Sequence, residues 1–409
     1  MIRWIFLLLF LGGLYFYTLQ ALKAMHASRW VVVCYTGGLL VVYVNFLVHF
    51  LSYSRASGFT PIMSIAAGIF MAVIVFQLLL ITLLALEDSW RFFQGVVHFF
   101  KGEKGTAFLP SRRKFFSQLA IGLAAIPFAS LLVGMIRGKY NYKVLHYELG
   151  FEDLPEAFDG FQLTQISDIH SGSFDNAEKV NYGIDLINKQ QSDVILFTGD
   201  IVNNKSSELL PWKSSFSRLK APLGVYSVLG NHDYGDYTPW PSAKAKANNL
   251  QQLFNMQAEM GFDLLLNEAR FIKKDGQRLA LVGLENWGKG GFKKAGDLEK
   301  AVAQVEEKDF KILLSHDPSH WEAKVLPHPY AFHLTLSGHT HGMQFGIEIP
   351  GWFKWSPVKW RYKQWTGLYT QNNQWINVNR GFGFLGYPGR VGIWPEITVI
   401  TLKRSAQEV

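Results

Sequence analysis

Val225-Tyr-Ser-Val-Leu-Gly230-Asn231-His232-Asp233 reads as a short apolar strand that stops at a glycine and then presents an amide, an imidazole and a carboxylate in succession. Four other stretches repeat this plan. Leu163–Ser167 runs into Asp168-Ile169-His170, and Val194–Thr198 into Gly199-Asp200. Ile312–Ser315 runs into His316, and Leu334–Ser337 into Gly338-His339-Thr340-His341. In α/β folds, ligands gather beyond the carboxyl ends of strands. Five such ends meeting at one rim would bring these side chains together.

The spacing inside the clusters carries chemistry. Side chains two apart at a strand end point to the same face, so Asp168 and His170 can grip one ion, as can His339 and His341. Gly199, Gly230 and Gly338 let the backbone turn sharply and bring the next residue close in. Apart from His232, the inventory is two carboxylates, four histidines and one amide. Imidazole suits Zn, Fe and Mn, and carboxylate suits Mn and Mg. Two cations about 3.5–4 Å apart need a bridging carboxylate. Asp200, the lone ligand of its cluster, is the natural bridge. His146, His320, His328 and His333 belong to no cluster and read as structural.

The ordered set DxH, GD, GNHD, H and GHxH over 161–341 resembles the calcineurin-like metallophosphoesterase superfamily. The tail over 342–402, with Gly-Leu-Tyr, Asn-Arg-Gly and Pro-Glu-Ile-Thr, resembles its membrane-associated branch. The resemblance implies an αββα sandwich with two divalent metal ions (Mn, Fe, Zn or similar) at the rim. Asp168, His170 and His341 would hold the first ion, Asn231, His316 and His339 the second, with Asp200 between them. The implied activity is hydrolysis of a phosphodiester, pyrophosphate or phosphomonoester. A hydroxide between the ions would attack phosphorus in line, and His232 would protonate the leaving oxygen. Where the protein-phosphatase branch has a second Asp after Gly-Asp, this chain has Asn203, an amide that can still accept from the catalytic imidazole. Where relatives often show a second glycine after Gly-His-Thr-His-Gly, this chain has Met343. Asp233 would buttress His232, and Asn203 and Arg380 are candidates to support the site or touch phosphate.

Outward from these motifs, the pattern from Tyr142 onward alternates β-rich runs with polar helical stretches, which argues for an α/β domain of two mixed sheets. Further strands are predicted at Leu279–Leu284, Trp375–Val378 and Ile397–Leu402. Helices are predicted at Asn176–Gln190, Ser207–Leu219, Ala243–Met260 and Asp297–Glu307. Residues 141–409 are thus expected to form the catalytic domain, and residues 1–140 a transmembrane region.

That first region explains a composition of 49% hydrophobic and only 18% charged residues, unusual for a water-soluble enzyme. Apolar runs lie near 4–22, 30–51, 59–86 and 118–136, each long enough as a helix to cross roughly 30 Å of hydrocarbon. The link between the last two carries Arg91, Lys101, Lys104, Arg112, Arg113 and Lys114 against Glu87, Asp88 and Glu103. The positive-inside rule puts that link in the cytoplasm and everything after Ile136 outside, on the periplasmic or outer side. Lys23 and Arg29 fit this scheme, and Ser54-Arg55 does not. Ser111-Arg112-Arg113-Lys114-Phe115-Phe116 resembles a twin-arginine export signal. The aromatic run Trp90–Phe100 is expected to lie along the interface. The net charge of +8 sits largely beside these runs, which argues against a nucleic-acid partner. The one cysteine, Cys34, lies in an apolar run, excluding cysteine-based zinc sites and thiol catalysis in the globular half.

The stretch Ile349-Pro350-Gly351-Trp352-Phe353-Lys354-Trp355, continuing to Trp360, Arg361, Tyr362 and Trp365, mixes aromatic and basic residues just after the GHTH cluster. Such a mixture suits headgroup depth in a bilayer, stacking on a base or sugar, or a packed β-hairpin. With the anchor, it points to a lipid or envelope-precursor substrate. The alternatives are a UDP-diacylglucosamine-type pyrophosphohydrolase at the cytoplasmic face and a non-catalytic metal-binding membrane sensor.

Overall fold

Central strands flanked by apolar residues on both faces build the larger part of this chain. The computed structural model describes residues 2–54, 60–102, 110–349 and 352–405. Arg55, Phe59, Glu103, Lys104, Pro350 and Gly351, named above, lie outside them. The chain divides into two compact units, Met1–Tyr53 with Ile62–Met135, and Ser54–Pro61 with Ile136–Val409.

The first unit has four helices: α1 (Ile2–Ala24), α2 (Arg29–Ser52), α3 (Pro61–Phe100) and α4 (Pro110–Ile136). All four are long and apolar enough to cross a membrane. Phe6, Leu9, Val41, Leu51 and Ile126 point outward with more than half their surface uncovered, a pattern suited to lipid rather than water. Inside, Ala21, Leu80, Leu84, Ala120 and Ala124 pack together, small side chains letting helices approach closely. The run Trp90–Phe100 continues α3 rather than forming a separate interfacial helix. No proline lies between Leu86 and Val96, Gly95 costs only about 1 kcal/mol, and Arg91 bridges back to Glu87 one turn earlier. At 40 residues α3 is about 60 Å long, twice the hydrocarbon thickness.

The second unit contains, in chain order, β1 (Lys143–Phe151), β2 (Gln162–Ile166), α5 (Ala177–Lys189), β3 (Val194–Phe197), α6 (Lys213–Phe216), β4 (Val225–Ser227), α7 (Ala243–Glu259), β5 (Phe262–Leu264), β6 (Glu268–Lys274) and β7 (Gln277–Gly283). Then follow α8 (Leu298–Ala301), β8 (Phe310–Leu314), β9 (Leu334–Ser337), β10 (Ile347–Ile349), β11 (Phe353–Trp355), β12 (Gly367–Gln371), β13 (Gln374–Val378) and β14 (Glu396–Arg404). Two six-stranded mixed sheets result, ordered β1-β14-β2-β3-β4-β5 and β12-β13-β9-β8-β7-β6, with β10 and β11 pairing as a separate hairpin.

Period-two alternation explains the layering. In β3, Val194 and Leu196 enter the core between the sheets, where they join Leu281, Ile312, Leu314 and Leu336. Ile195 and Phe197 point the other way, onto Val180, Ile184 and Ile187 of α5 and Leu253 of α7. On the second sheet, Leu279 and Leu281 face inward while Ala280 and Val282 pack on Leu298, Ala301 and Trp321. The outcome is the four-layer αββα sandwich.

Two predicted helices are shorter than their apolar pattern. Ser207–Leu219 becomes a 3₁₀ segment over Ser206–Trp212 followed by α6, because Pro211 lies inside it and cannot donate to an α-helical ladder. Asp297–Glu307 is helical only over α8. Val302 and Val305 are still buried, but from a turn in which the Val305 amide donates to the Val302 carbonyl at 2.8 Å.

Candidate metal centre

The loops after β2, β3, β4, β8 and β9 converge, and each ends a strand with a neighbour on both sides. Asp168, His170, Asp200, Asn231, His316 and His341 are buried and His339 is half-buried, and the carboxylate and imidazole atoms of all but Asn231 gather into close groups. Two groups form. Asp168, His170 and His341 place one ligand atom each within 4.8 Å of the others, and so do Asp200, His316 and His339. Asp200 Oδ2 lies between the groups, 3.1 Å from His316 Nε2 and 3.6 Å from His170 Nε2. Asp168 Oδ1 is 3.3 Å from His341 Nε2.

The backbone is bent to this purpose. Asp168, His170, Asp200, His339 and His341 all have φ between 48° and 69°. This left-handed region costs a non-glycine residue about 1–3 kcal/mol, least for Asn, Asp and His. Close approach adds to it. A Cβ on Gly230 would sit 2.1 Å from Asp200 Oδ1, so only glycine lets these loops touch.

Each ligand is held from behind, which fixes its free atom. His316 Nδ1 meets the Thr198 carbonyl at 2.7 Å and His170 Nδ1 meets Asn203 Oδ1 at 3.1 Å. Asn231 Nδ2 donates to the Tyr237 hydroxyl at 2.9 Å. Asp200 Oδ1 accepts from the His232 amide at 2.8 Å. What remains is a set of buried atoms without a hydrogen bond: Nε2 of His170, His316 and His341, and Oδ1 of Asn231. Four orphaned lone-pair atoms in one buried place fit a cation, and nitrogen with oxygen donors suits the borderline divalent metals.

Charge agrees. Burial pushes His170 down to about 3 and His339 down to about 4, and His341 well below its ordinary value. They are neutral imidazoles able to donate lone pairs. Burial also opposes a charge on His316, yet the Asp200 and Asp168 carboxylates outweigh it and raise that group to about 10. The carboxylates draw positive charge into the centre.

The remaining predicted residues take definite places. His232 Nδ1 meets the main-chain carbonyl of Asn203 at 2.8 Å, which leaves Nε2 available. The Asn203 side chain serves His170 instead of His232. Asp233 does not reach the His232 ring. It receives the amides of Asp200 (2.9 Å), Ile201 (2.8 Å), Val202 (3.3 Å) and Gly230 (2.8 Å), pinning the loop after β3 to the loop after β4. Arg380 pairs with buried Glu396 and with Glu348 of β10, so its charge is spent within the protein. Met343 is exposed.

Sequence reasoning missed three groups. Arg390, not Arg380, reaches a site histidine: its Nη2 lies 3.2 Å from His341 Nδ1 while Nε donates to the Gly383 carbonyl at 3.0 Å. Complete burial pushes its guanidinium down to about 9. Tyr362 Oη lies 2.8 Å from His339 Nε2, so Nδ1 is the atom that ring has left for a cation. Asp317, buried beside them, brings Oδ2 within 3.5 Å of the same Nε2. Asp317 was adjacent to His316 and could have been found. Arg390 and Tyr362 stand 49 and 23 residues from their histidines, with no spacing signal. Carboxylates behind metal-binding histidines set ring orientation and basicity. Asp317→Asn is expected to weaken Mn²⁺ or Zn²⁺ binding about 10–100-fold by titration calorimetry.

A four-layer sandwich with two histidine–carboxylate groups at its strand ends defines the metallophosphoesterase class. A family model described as "Calcineurin-like phosphoesterase" matches residues 161–343, and one described as "Probable Calcineurin-like phosphoesterase, transmembrane domain" matches residues 2–139. The uncharacterised metallophosphoesterase YkuE of Bacillus subtilis is 30% identical over 305 residues, 72% of this chain and 98% of its own length. A transmembrane protein with metallophosphoesterase domain from Danio rerio is 30% identical over 69% of this chain, which spans 62% of it, under two thirds. Its Bos taurus counterpart is 24% identical over 97% of this chain and 87% of its own length, membrane region included. The chain belongs to the calcineurin-like phosphoesterase family and is a membrane protein carrying the four-helix transmembrane domain.

Proposed function

We propose that this chain is a membrane-anchored hydrolase of phosphate esters with a dinuclear centre, acting on a lipid-linked or envelope-precursor phosphodiester or pyrophosphate. The convergence of the four orphaned donor atoms carries the reading. Asp168, His170 and His341 would hold one cation and Asn231, His316 and His339 the other, with Asp200 available to both. When bound, a pair of divalent cations lowers the pKa of water and polarises phosphoryl oxygens. The chain's own residues do the rest. The Asn203 carbonyl accepts from Nδ1 of His232 and orients the ring, so that its imidazolium form, protonated at both nitrogens, hands the Nε2 proton to the leaving oxygen. Asp233 holds the loops of Asp200 and His232 in register.

With purified enzyme and Mn²⁺, hydrolysis of bis-para-nitrophenyl phosphate is expected to be abolished by chelation. His232→Ala is expected to lower turnover about 10²–10⁴-fold while both metals stay bound. Metal-loaded protein with no hydrolysis on any ester, diester or pyrophosphate tried would instead favour a sensor.

The lipid reading rests on the aromatic stretch beside the site. Tyr362 and Trp365 are buried, but Trp352 and Trp360 are 81% and 76% exposed, with Lys359 and Arg361 beside Trp360. Rings at headgroup depth with basic neighbours fit a bilayer surface. The double variant Trp352→Ser with Trp360→Ser is expected to keep its rate on the soluble diester and to lose turnover several-fold on a bilayer-embedded one. The positive-inside bias supports a domain on the outer side, and protease protection in sealed vesicles tests that side.

A further inference from the structure

The membrane unit carries a cavity of about 430 Å³ between α3 and α4 that the catalytic reading does not use. Its walls are Leu83, Leu86, Leu119 and Leu123, and one end holds Glu87, Arg112 and Trp90. That end is polar in a specific way. Glu87 is buried, with 3% of its side chain exposed. Its Oε2 is taken by Arg113 at 2.7 Å and by Arg91 at 3.1 Å. Its Oε1 has no hydrogen bond and lies 4.0 Å from Arg112 Nε. Arg113 also reaches Asp88 at 2.6 Å, so the cluster sets three guanidiniums against two carboxylates. Arg112 is the least satisfied of them, one-third exposed and resting on the Phe116 ring.

We propose that this cavity binds one phospholipid whose headgroup carries an N–H or O–H donor. An acyl chain lies along the four leucines, the phosphate meets Arg112, and the headgroup amine or hydroxyl donates to the orphaned Glu87 Oε1. Two features select this ligand. The surplus positive charge calls for a phosphate, as basic pockets between spanning helices do. The buried acceptor calls for a donor, because leaving a buried carboxylate oxygen without a hydrogen bond is costly. Phosphatidylethanolamine has both, and phosphatidylcholine lacks the donor. Trp90 marks this end as headgroup depth. The site stands whether or not the enzyme acts on lipids.

The test is native mass spectrometry of the full-length protein in detergent with equal amounts of the two lipids. Phosphatidylethanolamine is expected to be retained about ten-fold over phosphatidylcholine, the worth of one charge-assisted hydrogen bond. Arg112→Gln is expected to reduce retention of both. Leu119→Trp, which fills the wall from a position 45% exposed, is expected to do the same with an unchanged melting temperature. Glycerophosphoethanolamine, a headgroup without chains, is expected not to compete. Equal retention of the two lipids, undiminished retention by the folded Leu119→Trp protein, or competition by the bare headgroup would each overturn the proposal.

Discussion

Asp200→Asn is expected to leave the centre with at most one cation and to lower turnover at least about 10³-fold, the scale of losing a preorganised charged group. The substitution keeps shape and removes only charge. Oδ1 is committed to the His232 amide at 2.8 Å, and an amide oxygen can accept there equally well. Oδ2, between His316 and His170, would become an NH₂ group, which has no lone pair to give a cation. Burial works against the Asp200 charge, yet the surrounding histidines, His316 foremost, hold its carboxyl well below the usual range. The wild-type group is therefore an anion at any working pH, the charge best placed to offset two cations. Metal content by mass spectrometry of digested protein, read beside diester hydrolysis, checks this. A variant with two ions per chain and near-normal turnover would remove Asp200 from its bridging role.

Gly338→Ala is expected to destabilise the catalytic unit by about 3 kcal/mol and to cost it the first cation. A Cβ at Gly338 would lie 1.9 Å from Ser167 Oγ and 2.3 Å from Asp168 Oδ2. Neither neighbour can retreat. Both Asp168 oxygens accept from the His339 amide at 3.0 Å, and Ser167 is buried. The loops after β2 and β9, from opposite sheets, would have to part, separating Asp168 from His341. Gly291→Ala, where nothing lies within 4 Å, is the control and should melt as wild type. Equal melting and metal content for both variants would show that the loops have slack.

The strands legible in the sequence were β2, β3, β4, β7, β8, β9, β13 and β14. Each has a neighbour on both sides, and strands covered on both faces read as continuous apolar runs. The strands missed include all four edges, β1, β5, β6 and β12. Edges carry polar and charged residues that discourage further pairing. Glu268-Ala-Arg-Phe-Ile-Lys-Lys of β6 alternates too weakly to be seen. The remaining misses, β10 and β11, are three residues each. The centre was readable for the same reason, since every candidate ligand follows a central strand. Its supports were less so. Asn203 was singled out from its place after Gly-Asp, but its side chain turns to His170 and its carbonyl to His232, a division that residue type does not encode.

The left-handed backbone at five of the candidate ligands has a wider consequence. In a saturation library, a longer side chain such as Glu for Asp meets a backbone cost before any cation is offered, although Gln191, Met343 and Gln344 show that this chain also holds longer residues at such a φ. The backbone favours Gly, Asn, Asp and His at these positions. Chemistry then chooses within that bias, so two unrelated filters act on the same few sites. A motif narrowed twice in this way stays recognisable in a lone sequence, even where the rest of the chain has drifted freely.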